Sequence, residues 1–310
     1  MKYCILKGME GFGDRLQCLI NAIEYCYNTN RTLVVDWRDR HWTQGTYFPI
    51  YKFLQIKNID YLDITDFLKY RYKDNMSVHK KLWKPIMNDK NYEKYMYRDK
   101  FKLEDNNKII FDIIDNKIQD FWQDLVVYPG VGIRRWGGKF ARFIDFNYAV
   151  YNLFHKVFGS LNIEKNKYIC IHIRATSKNW ENDKKIHKNL QKKIDAKYST
   201  EQKYFIHIDE QLKKINEELP ILIVSDCMDT AKRWVLRNKK GVIIENERIK
   251  TNQKSGIHLI NCNHLGDSYK YNLNMLCLRD FLIMKHSKYL IWDHVSLYSR
   301  MANFYKNDKS

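Results

Sequence analysis

The run YICIHI at 168–173, with the polar residues that follow it, constrains the fold more than any other stretch of the chain. Its β-branched and aromatic residues read as a short strand. Strand side chains repeat every two residues, so His172 and Arg174 share a face. Thr176, Ser177 and Lys178 come next, where a loop or helix start is expected. A buried strand ending in a guanidinium, hydroxyls and an ammonium builds an anion site at a sheet's C-terminal edge, where open α/β folds bind ligands. The same residues also fit a half-buried strand whose Arg174 pairs with a structural carboxylate.

The remaining chain repeats this strand-then-helix order. Residues 3–7 form an expected first strand, followed by GMEGFGDR at 8–15. Leu16, Leu19, Ile20, Ile23 and Tyr27 then recur at helical spacing, and 32–37 is an apolar second strand, which together make a βαβ opening. Gly8, Gly11 and Gly13 permit a tight turn and close approach of a ligand or a neighbouring loop, while Asp14 is placed to cap the helix. The order GxxGxG is not GxGxxG, and no GKS/T follows, so neither a dinucleotide fingerprint nor a P-loop is present. A strand–helix turn that needs small residues explains the glycines as well.

Between 40 and 52, His41, Trp42, Tyr47, Phe48 and Tyr51 lie among polar residues, a composition suited to sugar-ring faces and to plain loop packing alike. Residues 109–114 read as a strand, 120–127 is ambiguous, and PGVG at 129–132 reads as a turn. Arg134, Arg135, Lys139 and Arg142 form a basic cluster around Trp136. An apolar helix over 148–158 leads into an expected linker at 159–166. In the second half, 179–214 is charged and partly helical. ILIV at 221–224 is a compact strand ending in Ser225 and Asp226, with a helix expected at 230–237 and a strand at 241–245. A helix over 273–284 contains Asp280. A strand at 289–292 and a helix over 296–305 close the chain. Strands alternating with helices in both halves predict an α/β protein of two Rossmann-like domains, 1–160 and 161–310, facing each other across a cleft.

A chain of 310 residues with 45% hydrophobic content can bury a sizeable core, and its net charge of +18 implies affinity for anions. Nucleic acid, an acidic membrane surface and nucleotide-bearing substrates are the partner classes this charge admits. The excess is mostly Lys in Lys/Asn-rich stretches that read as solvated surface. The basic residues are scattered, no nucleic-acid-binding module is recognisable, and nucleic acid is therefore the less favoured partner. Of the seven cysteines none forms CxxC, and their apolar settings favour buried free thiols in a reducing compartment. No leader pattern and no run of membrane-spanning length is seen, so a cytoplasmic protein without a membrane span is expected.

Physical chemistry alone places a phosphate or diphosphate on Arg174, Lys178 and backbone N–H groups. Asp226 can accept from ribose or base donors, or cap the helix after it. Asp280, inside a helix, needs a donor such as a guanine edge or Arg174.

With these blocks in order, the chain resembles the nodulation-type and α-1,6-fucosyltransferase superfamily. The resemblance rests on GFGDR at 11–15, RTLVVDWR at 31–38, HIRATSK at 172–178, Ser225-Asp226, and the closing segment from Asp280 through Ser296 to Arg300 and Ala302. It implies a GT-B-like pair of domains, GDP-fucose as donor substrate with no further cofactor, a glycan acceptor on the N-terminal side, and inversion at the fucose anomeric carbon without a metal. The family's β-phosphate arginine falls on Arg174, its acidic donor-site residues on Asp226 and Asp280, and its phosphate-side hydroxyl near Ser296. Gly11, Gly13, Asp14, Arg15, His172, Lys178 and Ser225 complete the expected donor-side set. Ala175 stands where many members carry a second arginine, so Lys178 is expected to meet phosphate charge instead. Asn182 stands where the α-1,6 enzyme has a glutamate tied to deprotonating the acceptor. Glu181 beside it, and Asp36 and Asp39 at and just past the end of the second strand, are the candidate bases. The function expected is metal-independent fucosyl transfer. The competing readings are transfer of another GDP-sugar, a basic nucleic-acid-binding protein, and an inactive sugar-binding relative.

Overall fold

The computed structural model describes residues 1–8, 11–38, 46–79, 120–130, 138–174, 201–245, 265–292 and 296–307. Two compact units emerge, Met1–Val150 with Asn261–Met275, and Tyr151–Ile260 with Leu276–Ser310. The units part between Val150 and Tyr151, ahead of residue 160, and a stretch from late in the chain joins the first unit.

The first unit runs β1 (Tyr3–Gly8), α1 (Phe12–Thr29), β2 (Thr32–Asp36), a 3-10 turn (Ile50–Lys52), β3 (Leu54–Ile56), β4 (Tyr61–Asp63), α2 (Ile64–Tyr70), β5 (Leu125–Gly130), α3 (Gly138–Ala141) and β6 (Ile144–Phe146). Its main sheet has the order β4-β2-β1-β5, with parallel pairing throughout, and β3 pairs with β6 as an antiparallel ribbon. All of β1 is buried, which is why its sequence shows a continuous apolar run rather than alternation. Tyr3, Ile5, Val34, Ile64, Phe67, Leu125 and Val127 pack into one core layer.

Leu16, Leu19, Ile20 and Ile23 are buried on α1 as their spacing predicts. Tyr27 is not; it is 54% exposed and meets Phe140 and Phe143 edge-on at 5.5 and 5.7 Å. Tyr25 and Cys26 take the inward positions instead. The helix stops where Asn30 turns left-handed at φ 51° and donates its N–H to the Cys26 carbonyl. The turn expected at 129–132 is corrected in its first half. Pro129 and Gly130 continue β5, with Pro129 opposite Lys7. Among the described residues β5 is an edge strand, where a missing N–H is tolerated.

Two aromatics of the 40–52 segment, Tyr47 and Phe48, serve the fold. The Tyr47 hydroxyl donates to Asp63, which also caps α2 through Thr65 N at 3.0 Å. Phe48 is buried against Phe53 and Tyr271. Tyr51 is exposed, and His41 and Trp42 lie outside the described residues.

α4 (Tyr148–Leu161) runs through the expected linker start, with Gly159 inside it. The chain continues with β7 (Ile169–Ile173), α5 (Glu201–Lys213), β8 (Ile221–Ser225), α6 (Met228–Asn238), β9 (Val242–Ile243), α7 (Asp267–Lys285), β10 (Tyr289–Ile291) and α8 (Leu297–Asn307), all in the second unit except the part of α7 up to Met275. The sheet of the second unit is β10-β7-β8-β9, again parallel throughout. β7 is wholly buried at its centre, and Ile171, Ile173, Tyr204, Ile208, Ile223 and Trp234 lead the surrounding core. The chain is thus an α/β protein with two parallel sheets, each in a Rossmann-like unit. Cys4, Cys18, Cys26 and Cys170 are buried free thiols. Among the described residues no helix is long and apolar enough to cross a membrane. The strand expected at 109–114 and most of the cluster around Trp136 lie outside the described residues.

Candidate functional site

In the second unit, polar groups gather at the C-terminal ends of β7 and β8 and at the start of α8. β7 delivers His172 and, one residue past its end, Arg174. Ser296 directly precedes α8, and its hydroxyl lies 3.5 Å from Ser299 N, the position of an N-cap. Arg174 Nη1 donates to that same hydroxyl at 3.4 Å. One turn further along α8, Ser299 Oγ is hydrogen-bonded to His172 Nδ1. The strand periodicity that puts His172 and Arg174 on one face therefore meets the helical spacing of Ser296 and Ser299. Tyr298 lies edge-on to the His172 ring at 5.6 Å, and the Tyr204 hydroxyl donates to His172 O at 2.6 Å.

Ser225 works inside the fold. Its Oγ lies 2.7 Å from Ile173 O and 2.9 Å from Cys227 O, and it accepts from Cys227 N at 3.0 Å. The hydroxyl thus ties the end of β7 to the turn between β8 and α6. Asp226, next to it, is half-buried. Cys227, not Asp226, is the N-cap of α6, so the capping reading of Asp226 is set aside.

Asp280 is buried within α7 and accepts from Arg279 Nε at 3.1 Å and Nη2 at 2.8 Å. The donor that its helical position called for includes the guanidinium beside it. Arg279 Nη2 also reaches Glu245 O at 3.2 Å, so the pair fastens α7 to the chain two residues beyond β9. Burial, and after it the Asp280 carboxylate, push the Cys170 thiol well above its ordinary range. Asp39, Lys178 and Glu181 lie outside the described residues.

The first unit has its own polar edge. Lys7 and Asp36 stand opposite each other on β1 and β2. Lys7 Nζ is 3.6 Å from Asp36 Oδ2, and Asp36 Oδ1 accepts from Arg38 Nε at 3.0 Å and Arg38 N at 3.1 Å. Arg15, fully buried on α1, lies with its guanidinium 5.6 Å over the Trp37 ring. Gly11 is the N-cap of α1 with no side-chain cap. Asp14 is therefore not the cap that its position suggested; it sits in the first turn, where its charge suits the helix dipole. Gly13 is buried just inside the helix. Gly8 is the glycine that space demands, since a Cβ there would come within 2.3 Å of Trp37 Cδ1.

Sequence reasoning brought His172, Arg174 and Ser296 to one place and set Ser225 and Asp226 at the adjoining strand end. It missed Ser299, Arg279, Tyr204 and the Lys7 partnership. Ser299 was findable, because it follows Ser296 at i+3 on an amphipathic helix. A lysine ending an otherwise apolar strand was the signal for Lys7.

No protein-family model matches the chain, and no curated protein matches its sequence. Solved structures do match over nearly its full length. The NodZ α-1,6-fucosyltransferase soaked with GDP-fucose superposes with a TM-score of 0.68 at 13% identity, covering 98% of this chain and 92% of that one. The selenomethionine NodZ from Bradyrhizobium gives 0.69 at 12%, with the same coverage. POFUT1 in complex with GDP-fucose gives 0.56 at 10%, covering 98% and 93%. The fold is therefore that of GT-B fucosyltransferase structures.

Proposed function

We propose that the chain is an inverting glycosyltransferase that moves fucose from GDP-fucose to a hydroxyl of a glycan acceptor, without a metal. The observation that carries the reading is Arg174 at the end of β7, tethered to the hydroxyl that caps α8. A guanidinium beside a helix N-terminus offers directed N–H donors and a favourable field to a diphosphate. The acceptor oxygen would bond to C1 as the bond from C1 to the diphosphate oxygen breaks. The electron pair leaves on GDP, where Arg174 stabilises the growing charge. Lys178 would share that charge, and Asp226 would accept from the nucleoside. The acceptor's proton passes to a carboxylate. Asp36 already answers Lys7 and Arg38, which leaves Glu181 and Asp39 as the preferred candidates for the base. The likeness to structures holding GDP-fucose supports this donor. The buried thiols suit a reducing compartment, and we place the protein in the cytosol.

Thermal melts against GDP, GDP-fucose, GDP-mannose, UDP and ADP test the donor class, since stabilisation follows affinity. Larger shifts with guanine nucleotides are expected, and equal shifts with UDP or ADP overturn the reading. Transfer should persist in excess EDTA. Loss of transfer that only a divalent ion restores overturns the metal-free step.

A further inference from the structure

We infer that Tyr204 and Ser225 are positioning residues, whose hydroxyls hold the last two carbonyls of β7 and so aim Arg174 at the diphosphate. This deepens the donor-site reading above and rests on it for the ligand.

β7 loses its neighbours in two steps. Its pairing with β10 closes at Ile171, opposite Ile291, and its pairing with β8 closes at Ile173, opposite Ser225. A buried carbonyl where a ladder runs out still needs a donor. Side chains from two different elements supply one here. The Tyr204 hydroxyl, from α5, donates to His172 O at 2.6 Å. The Ser225 hydroxyl, from the end of β8, faces Ile173 O at 2.7 Å. Tyr204 has no solvent exposure and Ser225 only 1%. The Tyr204 ring is packed in the core with Ile171 and Ile173. Ser225 Oγ also lies 2.9 Å from Cys227 O and accepts from Cys227 N at 3.0 Å, so the turn after β8 holds it in place.

The two carbonyls belong to consecutive peptide groups. A bond to His172 O fixes the plane that joins His172 to Ile173, and a bond to Ile173 O fixes the plane that joins Ile173 to Arg174. With both planes held, φ and ψ of Ile173 are set, and the Cα of Arg174 is delivered to one place. The guanidinium stands at the far end of a long side chain, so a small rotation of the peptide behind it is magnified at its nitrogens. The contact from Arg174 Nη1 to Ser296 Oγ, at 3.4 Å, is already beyond the usual range of a hydrogen bond and leaves little slack. Tyr204 and Ser225 thus fix from behind the guanidinium that Ser296 meets in front. A misplacement on the order of 1 Å at a reacting centre costs up to about a hundredfold in rate. Deleting either hydroxyl frees one of the two planes and should cost part of that.

The test joins donor kinetics to NMR of the arginine-labelled full-length chain, with the δ-methylene signal of Arg174 identified by its loss in Arg174→Lys. Tyr204→Phe keeps the ring and deletes only the hydroxyl. It should fold, move the Arg174 signal, and lower kcat for GDP-fucose on the order of tenfold with donor KM nearly unchanged. Ser225→Ala should do the same, and Ser225→Thr, which keeps the hydroxyl, should restore both readouts. In an Arg174→Lys background, where the directed fork is already gone, Tyr204→Phe should lower kcat by less than about threefold, because residues that act through one another are not additive. An Arg174 signal that stays in place in Tyr204→Phe and Ser225→Ala overturns the inference. So does a moved signal at unaltered kcat, or an equal loss of kcat in both backgrounds. If neither variant folds, the two hydroxyls serve the fold first and the inference is likewise overturned. A wild-type chain that neither binds nor uses any GDP-sugar defeats the donor reading instead, and the Arg174 signal is read independently of it.

Discussion

Both parallel sheets end in cations, and the two ends treat them differently. At the edge of the first sheet, Lys7 and Arg38 converge on one buried carboxylate, Asp36, and the Arg15 guanidinium lies over Trp37. At the edge of the second, Arg174 reaches the neutral hydroxyl of Ser296, and the neighbouring acid, Asp226, is half-buried. A cation matched by a buried carboxylate is tied into the fold, because removing either partner strands the other. On the reading proposed above, Arg174 answers an anion that arrives with the ligand. On that reading, the same topology serves as a brace in one unit and as a receiver in the other.

The largest effect that could break this contrast is at Arg174. Arg174→Ala is expected to lower transfer about a thousandfold or more, and Arg174→Lys about tenfold to a thousandfold, since lysine keeps charge but loses the planar fork. Apo melting temperatures should stay close to wild type. If activity falls only in proportion to unfolding, Arg174 is a brace like Asp36.

Asp36→Asn should show the reverse pattern. It removes the carboxylate that Lys7 and Arg38 share at a buried site, at a cost of roughly 3 kcal/mol in stability. Urea unfolding measures this directly. Full stability together with abolished transfer would return Asp36 to the role of acceptor base.

The reason one edge was legible in the sequence and the other was not is physical. His172 and Arg174 end an apolar strand, and period-two geometry puts them together with no knowledge of the partner helix. Ser296 entered through its resemblance to a family segment, although its cap position on α8 is an ordinary helix-start signal. The Lys7–Asp36 contact depends on register between β1 and β2, and the periodicity of each strand alone does not set it. Asp280 was recognised as needing a donor, but an i, i+1 pair with Arg279 runs against the usual i+3 and i+4 partnerships of a helix surface. β5 hid because Pro129 and Gly130 are turn residues by habit and strand residues only at an edge.

Gly8→Ala sharpens the picture of a packed first edge. The added methyl meets Trp37 and, at 2.8 Å, Arg15 Nη1. Overpacking of this kind costs about 1–3 kcal/mol. In a Trp37→Leu background the additional cost should shrink, because the clashing ring is gone. Equal costs in both backgrounds would mean that the Trp37 ring is not what limits the space at Gly8.

The smallest expected effect separates the acid response of the second unit from that of the first. His286 follows α7, with its ring 5.3 Å from Phe154. Burial, followed by the charges of Lys285, Lys165 and His155, lowers its pKa from 6.5 to about 4. The folded ring therefore resists a proton that the unfolded chain accepts. The unfolded state binds more protons between pH 6.5 and about 4, so stability falls as pH drops through that window and levels off below it. The ring is only partly buried, and solvent screening brings the expected loss to about 1–2 kcal/mol. His286→Phe removes the titrating group and keeps an aromatic ring beside Phe154. Urea unfolding at pH 7.5 and at pH 4.5 should show a smaller acid loss in His286→Phe than in wild type, by that margin. Identical losses would show that His286 takes up its proton without penalty in the folded chain, and that the acid sensitivity lies in other groups.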